Sequence, residues 1–237
     1  MNTWQGDLLG ITDTGRTVDE VFEKIERASY ALGFDFCAYG LRLPAPISNP
    51  RTIMLSNYPL EWQARYASAG YLATDPTVAH GRQSQTPLVW THAVFEATPN
   101  LWEESQSAGL RFGWAQSSLD AVGVGGMLSL ARSYDALSPK ELALQEVKMR
   151  WLVNISHLAL SRLFVSELVK ESQPDLTLRE VEVLKWTADG KSSSEIADLL
   201  SISENTVNFH IKNSVAKLRT ENRTAAVVRA AMLGLLN

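Results

Sequence analysis

The stretch TLREVEVLKWTADGKSSSEIADLLSISENTVNFHIKNSVAKL, residues 177–218, decides the architecture of the C-terminal part of the chain. Thr177-Leu178-Arg179-Glu180 reads as a capping box, in which a hydroxyl and a carboxylate satisfy the unpaired N–H groups of a helix start. Val181, Leu184 and Ala188 follow at inward helical spacing, and Gly190 stops the run. Ser192-Ser193-Ser194-Glu195 is a second box, with Ile196, Leu199 and Leu200 as its apolar face. Ser201-Ile202-Ser203 makes a short turn, and Ser203 caps a third helix carrying Val207, Ile211, Val215 and Leu218 inward. A fourth, Ala-rich helix starts at Asn222 or Thr224 and ends near Gly234. A short helix, a tight turn and a helix with a polar, cationic outer face form a helix-turn-helix.

Burying those four apolar residues leaves Asn205, Thr206, Asn208, Phe209, Lys212 and Asn213 on the outside of the third helix. Base edges in a major groove are read by such side chains at the start of an inserted helix, which selects Asn205, Thr206, Asn208 and Phe209. Lys191, Lys212, Lys217 and Arg219 are placed to hold phosphates. Net charge adds little: the chain is at −4, and from residue 172 on eight Lys/Arg face eight Asp/Glu. Between Asn205 and Arg219, however, there are three cations and no acid, enough for a local phosphate-binding face. Helix spacing alone also admits a four-helix protein-interaction module.

The residues narrow that choice. Leu176 to Leu184, Gly190-Lys191-Ser192, Glu195-Ile196-Ala197, Ile202 to His210 and Lys217-Leu218 together resemble the DNA-binding domain of LuxR-type regulators over almost all of 176–237. Glu180, Leu184 and Gly190 fall on that family's signature places, where they act as cap, core and helix stop.

Upstream, Glu171-Ser172-Gln173-Pro174-Asp175 is polar, and its proline biases Gln173 away from helix. This predicts a linker at 171–175 between domains 1–170 and 176–237. The N-terminal domain mixes helix and strand. Thr17-Val18-Asp19-Glu20 is a capping box for a helix ending at Gly33, followed by a strand over 34–40 and a proline-rich turn from Pro44 to Pro50. Further strands are expected at Thr52–Leu55, Pro87–Trp90, Arg111–Ser117 and Val124–Ala131, and short helices over Pro59–Tyr66 and from Asp75. Ser138-Pro139-Lys140-Glu141 is a capping box that opens a helix of about thirty residues. That helix shows Leu142, Val147, Trp151, Ile155, Leu158 and Val165 on overlapping faces, able to cover the sheet and to pair with a second copy. The predicted fold class is α+β: an α/β/α sandwich around an antiparallel sheet, joined to an all-α helix-turn-helix domain of four helices.

Four clusters stand out in the first domain: Asn57-Tyr58-Pro59 with Trp62 and Tyr66; Tyr71 with Asp75-Pro76-Thr77; Pro87 to Trp90; and Gly126 to Leu130 with Ser129. They resemble the ligand-binding domain of acyl-homoserine-lactone receptors, whose signature positions match Trp62, Tyr66, Asp75, Pro76, Trp90 and Gly113. Such a ligand presents two carbonyls, an amide N–H and an apolar tail. Trp is a single N–H donor, an ionised Asp is acceptor-only, and Tyr or Ser can donate to a carbonyl. The resemblance implies Trp62 on the lactone carbonyl, Asp75 on the amide N–H, and Tyr58 on the amide carbonyl with Ser129 nearby. It further implies Trp90 packed on the lactone ring, with Tyr66, Tyr71 and Thr77 around the cavity.

Other classes find less support. A phosphorylated receiver needs an acidic pair after an early strand, a later Asp and a downstream Lys, and no such set occurs. Ser117, Ser118 and Ser129 lack a matched His, and the Gly-rich stretch 123–126 lacks a P-loop lysine. A single cysteine, Cys37, and four scattered histidines form neither a disulfide framework nor a metal set. No enzyme, cofactor or metal is expected. The start, Met1 to Asp7, shows no signal-peptide pattern and no apolar run has membrane-spanning length, so a cytoplasmic protein is predicted. The expected partners are an N-acyl homoserine lactone, promoter DNA with a palindromic operator, a second copy of the chain and RNA polymerase. The competing reading is a protein-interaction module that modulates another regulator without a small molecule.

Overall fold

The first unit is built on β1 (Phe36–Arg42), β2 (Thr52–Ser56), β3 (Leu88–Val89), β4 (Phe112–Leu119) and β5 (Gly125–Arg132). These pair antiparallel in the order β2-β1-β5-β4-β3. Around them lie α1 (Val18–Ala31), α2 (Leu60–Ser68), a 3₁₀ turn (Tyr71–Ala73), α3 (Pro76–Gln83), α4 (Pro99–Ser107) and the long α5 (Pro139–Lys170). The structure, a computed structural model, describes residues 16–43, 51–120, 124–170 and 174–236, with 165–170 by backbone alone. The turn expected at Pro44–Pro50, residue 123 of the Gly-rich stretch, the Val165 side chain and residues 171–173 of the expected linker lie outside the described residues. Two compact units result, one ending at Phe164 and one beginning at Val165.

Successive strand residues face opposite sides, and both sides are covered. Cys37, Tyr39, Leu41, Leu128 and Leu130 are all buried on the α1/α5 side. There Tyr39 reaches His157 of α5 and Ser118 donates to Asn154 Oδ1 at 3.1 Å. The other side carries Ala38, Ala115, Ser129 and Ala131, each buried. Ala131 packs in a cluster with Trp62, Tyr71, Phe95, Leu101 and Leu110. The register sets Ala38 and Ala115 directly beside Ser129, a row of small side chains across three strands. The α/β/α sandwich is therefore present as expected.

Several details differ from the sequence reading. The helix α4 is an addition, started by Pro99 at its first turn. At α5, Ser138 Oγ accepts from Glu141 N, but the Glu141 carboxylate bonds Arg132 at 2.7 and 2.8 Å instead of closing the capping box. The sheet is covered by Met149, Leu152, Val153, Ser156, His157 and Leu160, while Val147 and Leu158 are exposed. Among the described residues no helix is long and apolar enough to cross a membrane.

The second unit holds α6 (Leu178–Ala188), α7 (Ser193–Leu200), α8 (Glu204–Lys217) and α9 (Arg223–Met232). Both expected capping boxes form, at Thr177/Glu180 and Ser192/Glu195, and Ser203 caps α8. Asn222, rather than Thr224, caps α9 by accepting from Ala225 N at 2.9 Å. Val183, Ile196, Ala197, Val207 and Ile211 form one core cluster, and Leu184, Leu218, Ala226 and Ala230 a second.

His157 is a buried titratable group in the core of the first unit. Its Nδ1 faces the Tyr39 hydroxyl at 2.8 Å and its Nε2 the Val124 carbonyl at 3.1 Å. A Cβ on Gly126 would overlap both the imidazole and the Tyr39 oxygen, so this contact requires glycine there. Burial lowers the His157 pKa from 6.5, with the Asp120 charge and the Val124 bond opposing. The unfolded chain thus takes up the proton first as pH falls. Stability is complete above the unfolded value and declines as pH drops towards the folded one. The melting temperature should fall between about pH 7.5 and about pH 5.5, and His157→Gln should flatten that fall. An equal slope in wild type and variant would remove His157 as its source.

Candidate ligand site and DNA-reading face

The candidate ligand face is an aromatic wall on the side of the sheet that carries the small-residue row. Trp62 and Tyr66, four apart on α2, put their rings 5.9 Å from each other, and Tyr71 lies 6.1 Å from Trp62. Trp90 meets Phe95 edge-on at 6.0 Å, and Phe95 stacks on Trp102 of α4 at 4.8 Å. A Cβ on Gly113 would overlap the Trp90 indole, so that glycine is what lets Trp90 lie against β4.

Asp75 is fixed inside this wall. As N-cap of α3, its Oδ1 accepts from Thr77 N at 2.8 Å and Thr77 Oγ1 at 2.7 Å. Its Oδ2 accepts from the Tyr66 hydroxyl at 2.8 Å. Three of about four lone-pair sites are used, leaving room for about one more donor. Burial, then the Asp75 charge, drive the Tyr66 pKa far above its usual range; Tyr58 is raised by burial first and less by the neighbouring Cys37 and Asp75. Both phenols therefore remain protonated donors.

The expected residues sort into two sets. Tyr66 and Thr77 give their hydroxyls to Asp75, and Tyr71 gives its own to Glu104 Oε2 at 2.9 Å. Those three hold the wall, and their polar atoms are already engaged. By contrast the Tyr58 hydroxyl, the Trp62 indole N–H and the Ser129 hydroxyl have no hydrogen-bond partner among the described residues. Trp90 Nε1 is likewise unpaired, and it is fully enclosed. An enclosed donor without a partner costs about 1–3 kcal/mol. This N–H was not anticipated, because an indole reads first as a packing surface. Leu101, Trp102 and Glu104 were also missed, since no helix was assigned over 99–107, and with them Phe95 in the turn that precedes it.

In the second unit, Ser201 closes the turn in the left-handed conformation at φ 53°, and Ile202 packs against the Val183/Ile196 core. Asn205, Asn208, Phe209 and Lys212 are exposed along one side of α8, with Asn213 half-buried. The Asn208 Oδ1 accepts from Ser193 Oγ of α7 at 2.8 Å, which orients its amide. Thr206 is half-buried and its hydroxyl shares a 2.8 Å bond with Ser203, so it belongs to the cap as much as to the outer face. Lys191 lies 3.8 Å from Glu195, and Arg219 is exposed just beyond the helix.

Lys217 departs from its expected role. Its Nζ contacts Glu180 Oε2 at 2.8 Å, and that carboxylate side chain is only 3% exposed. Burial raises the Glu180 pKa, and the bonds from Lys217 and Thr177 outweigh it, so the net shift is downward. A cation drawn onto a buried acid is poorly placed to hold phosphate.

Together these features are those of a small-molecule-sensing regulator: an aromatic cluster that holds one carboxylate and carries donors left unpaired among the described residues, and a helix-turn-helix unit. Residues 17–160 match the autoinducer binding domain, and residues 174–230 match the luxR family of bacterial regulatory proteins. The chain is 46% identical to the transcriptional activator protein AnoR of Acinetobacter nosocomialis, covering all of both proteins. It superposes on a crystal structure of Escherichia coli SdiA with a TM-score of 0.85 at 36% identity, over 99% of this chain and 98% of that one. A second SdiA structure, in complex with octanoyl-rac-glycerol, gives 0.82 at 36% identity over 99% and 96%. CepR2 of Burkholderia cenocepacia, described as an N-acylhomoserine-lactone-dependent LuxR-family factor, gives 0.62 at 29% identity over 68% and 95%. The chain belongs to the luxR family: it is an autoinducer-binding, DNA-binding transcriptional regulator and not an enzyme.

Lys217→Met should therefore act on stability. Breaking a fully buried pair costs about 3–5 kcal/mol, and the partial exposure of Lys217 brings this to about 2 kcal/mol. Asn208→Ala should instead relax base preference at one or two operator positions, by about 1–3 kcal/mol on the preferred site. Melting curves and salt-dependent binding titrations read both. A shallower salt slope in Lys217→Met with an unchanged melting temperature would return Lys217 to the phosphates.

Proposed function

We propose that the autoinducer is an N-acyl homoserine lactone, bound in the sensor domain 1–170, and that binding controls promoter recognition by domain 176–237 beyond the linker 171–175. The observation that carries this reading is a set of donors on Tyr58, Trp62 and Ser129 without partners among the described residues, in the same wall-and-sheet region as one carboxylate, Asp75, whose charge reaches Tyr58. Two carbonyl acceptors and one amide donor complement that set. Trp62 takes the lactone carbonyl, Asp75 the amide N–H, and Tyr58 with Ser129 the amide carbonyl. Trp90 lies against the ring. The lipid-like molecule held by SdiA has the same plan of a polar head on an acyl chain. Tail burial adds about 0.8 kcal/mol per methylene.

On the DNA, Asn205, Asn208 and Phe209 read base edges, with Thr206 and Asn213 at the margins, and Lys191, Lys212 and Arg219 hold phosphates. The regulator works in the cytoplasm as a homodimer on a palindromic operator and engages RNA polymerase. Exposed Leu144, Val147 and Leu158 on α5, spaced at helical repeats, supply an apolar face for a second copy.

Asp75→Asn should weaken N-octanoyl homoserine lactone binding by about 1.5–3 kcal/mol, far more than Thr98→Ala does. Matching titration curves for Asp75→Asn and wild type would take Asp75 out of the site. Footprinting should show two half-sites with centres about 10 bp apart. Protection of one unrepeated half-site would contradict the dimer.

A further inference from the structure

Tyr71 faces two ways. Its ring packs on Trp62 and, at 5.9 Å, on Tyr66, while its hydroxyl leaves the wall to reach Glu104 of α4. Both Glu104 oxygens also accept from Arg65 of α2: Oε2 from Nε at 2.8 Å and Oε1 from Nη2 at 2.7 Å. The guanidinium lies 5.9 Å from the Tyr71 ring centre. One carboxylate thus closes three elements on each other, α2, the 3₁₀ turn and α4. The remaining side-chain bond from α4 to another element, among the described residues, is Gln106 to the Arg111 carbonyl, which runs towards β4.

The exposure of this cluster says what it does. Arg65 is 54% and Glu104 33% exposed at the side chain, so water screens the pair and it adds little to global stability. A two-bond guanidinium–carboxylate fork nevertheless fixes geometry in a plane. What it fixes is Tyr71, whose ring supports Trp62 and also Tyr66, the residue that holds Asp75. Leu101 and Trp102, which bring α4 into the wall, sit within one helical turn of Glu104.

We propose that Glu104 and Arg65 are positioning residues of the autoinducer site, a clamp that holds Tyr71 and keeps α4 closed against α2, and so sets how long ligand is retained. The proposal rests on the acyl-homoserine-lactone reading above. It gives Tyr71 a supporting ring and withholds its hydroxyl from the ligand. The Arg65 bonds hold the Glu104 carboxyl below its usual range, against the opposing effect of burial, so the clamp stays ionised throughout neutral pH.

The test follows release of radiolabelled N-octanoyl homoserine lactone from the full-length protein after an unlabelled chase. Glu104→Gln and Tyr71→Phe should each speed release by about tenfold, since changes at one interface fall mainly on the dissociation rate. The double variant should be no faster than the faster single, because both break one linkage. Arg65→Glu should also release quickly, and Arg65→Glu/Glu104→Arg should recover most of the retention, which a purely structural loss would not. Wild-type release from Glu104→Gln, multiplying effects in the double variant, or no recovery in the charge swap would each overturn the clamp. Asp75→Asn run alongside separates the two readings. Normal binding by Asp75→Asn overturns the ligand placement itself, whereas normal retention by Glu104→Gln beside a defective Asp75→Asn overturns the clamp alone.

Discussion

A carboxylate set into an aromatic wall must be held by hydrogen bonds, and the way Asp75 meets that demand organises the sensor. It starts α3 by accepting from Thr77, and through Tyr66 it ties that helix to α2. Half-buried Asp75 would be left poorly solvated without those bonds. With them, Asp75 keeps room for about one more donor in a fixed direction. The same atoms thus serve helix start and the packing of two helices, and in the proposed function recognition as well. Removing the charge perturbs all three at once.

The sheet beneath follows a complementary rule. Where a functional ring or imidazole must approach the backbone, the sequence supplies glycine: Gly113 under Trp90, and Gly126 under His157. Where the wall needs depth, it supplies Ala38, Ser129 and Ala115 in one row. The two faces divide the labour. Large aliphatic side chains such as Leu41, Leu128 and Leu130 fill the α1/α5 side, and small ones leave the opposite side to the aromatics. Strand alternation makes the division possible without lengthening the chain.

Much of this was legible in the sequence where the signal was local. Capping boxes at Thr17, Thr177 and Ser192 need only four consecutive residues, and all three form. The helix-turn-helix and the candidate site residues were visible for the same reason, as compact motifs with a family likeness. What escaped was long-range pairing. Glu180 was read as a cap, and it is one, but its second partner is Lys217, thirty-seven positions away. Glu141 looked like half of a capping box until Arg132, on the preceding strand, took its carboxylate. The helix over 99–107 lacked a clear apolar stripe to announce it, and with it went Glu104 and the anchoring of Tyr71. A charged side chain in a linear sequence does not say which of several cations it will meet.

The two units also differ in how complete they are. The helix-turn-helix unit has two core clusters, and all four of its helices begin at residues whose side chains accept from the next turn. Its deep acid is paired. Nothing in that inventory asks for a small molecule. The sensor, by contrast, carries donors at Tyr58, Trp62 and Ser129 that have no hydrogen-bond partner among the described residues. A ligand that satisfies these groups binds the folded sensor and not the unfolded chain, so its binding free energy enters as sensor stability. In the proposed function, ligand dependence starts from the unpaired donors of one wall of the first unit. The helix-turn-helix unit, with its core clusters and caps formed, makes no such demand among its described residues.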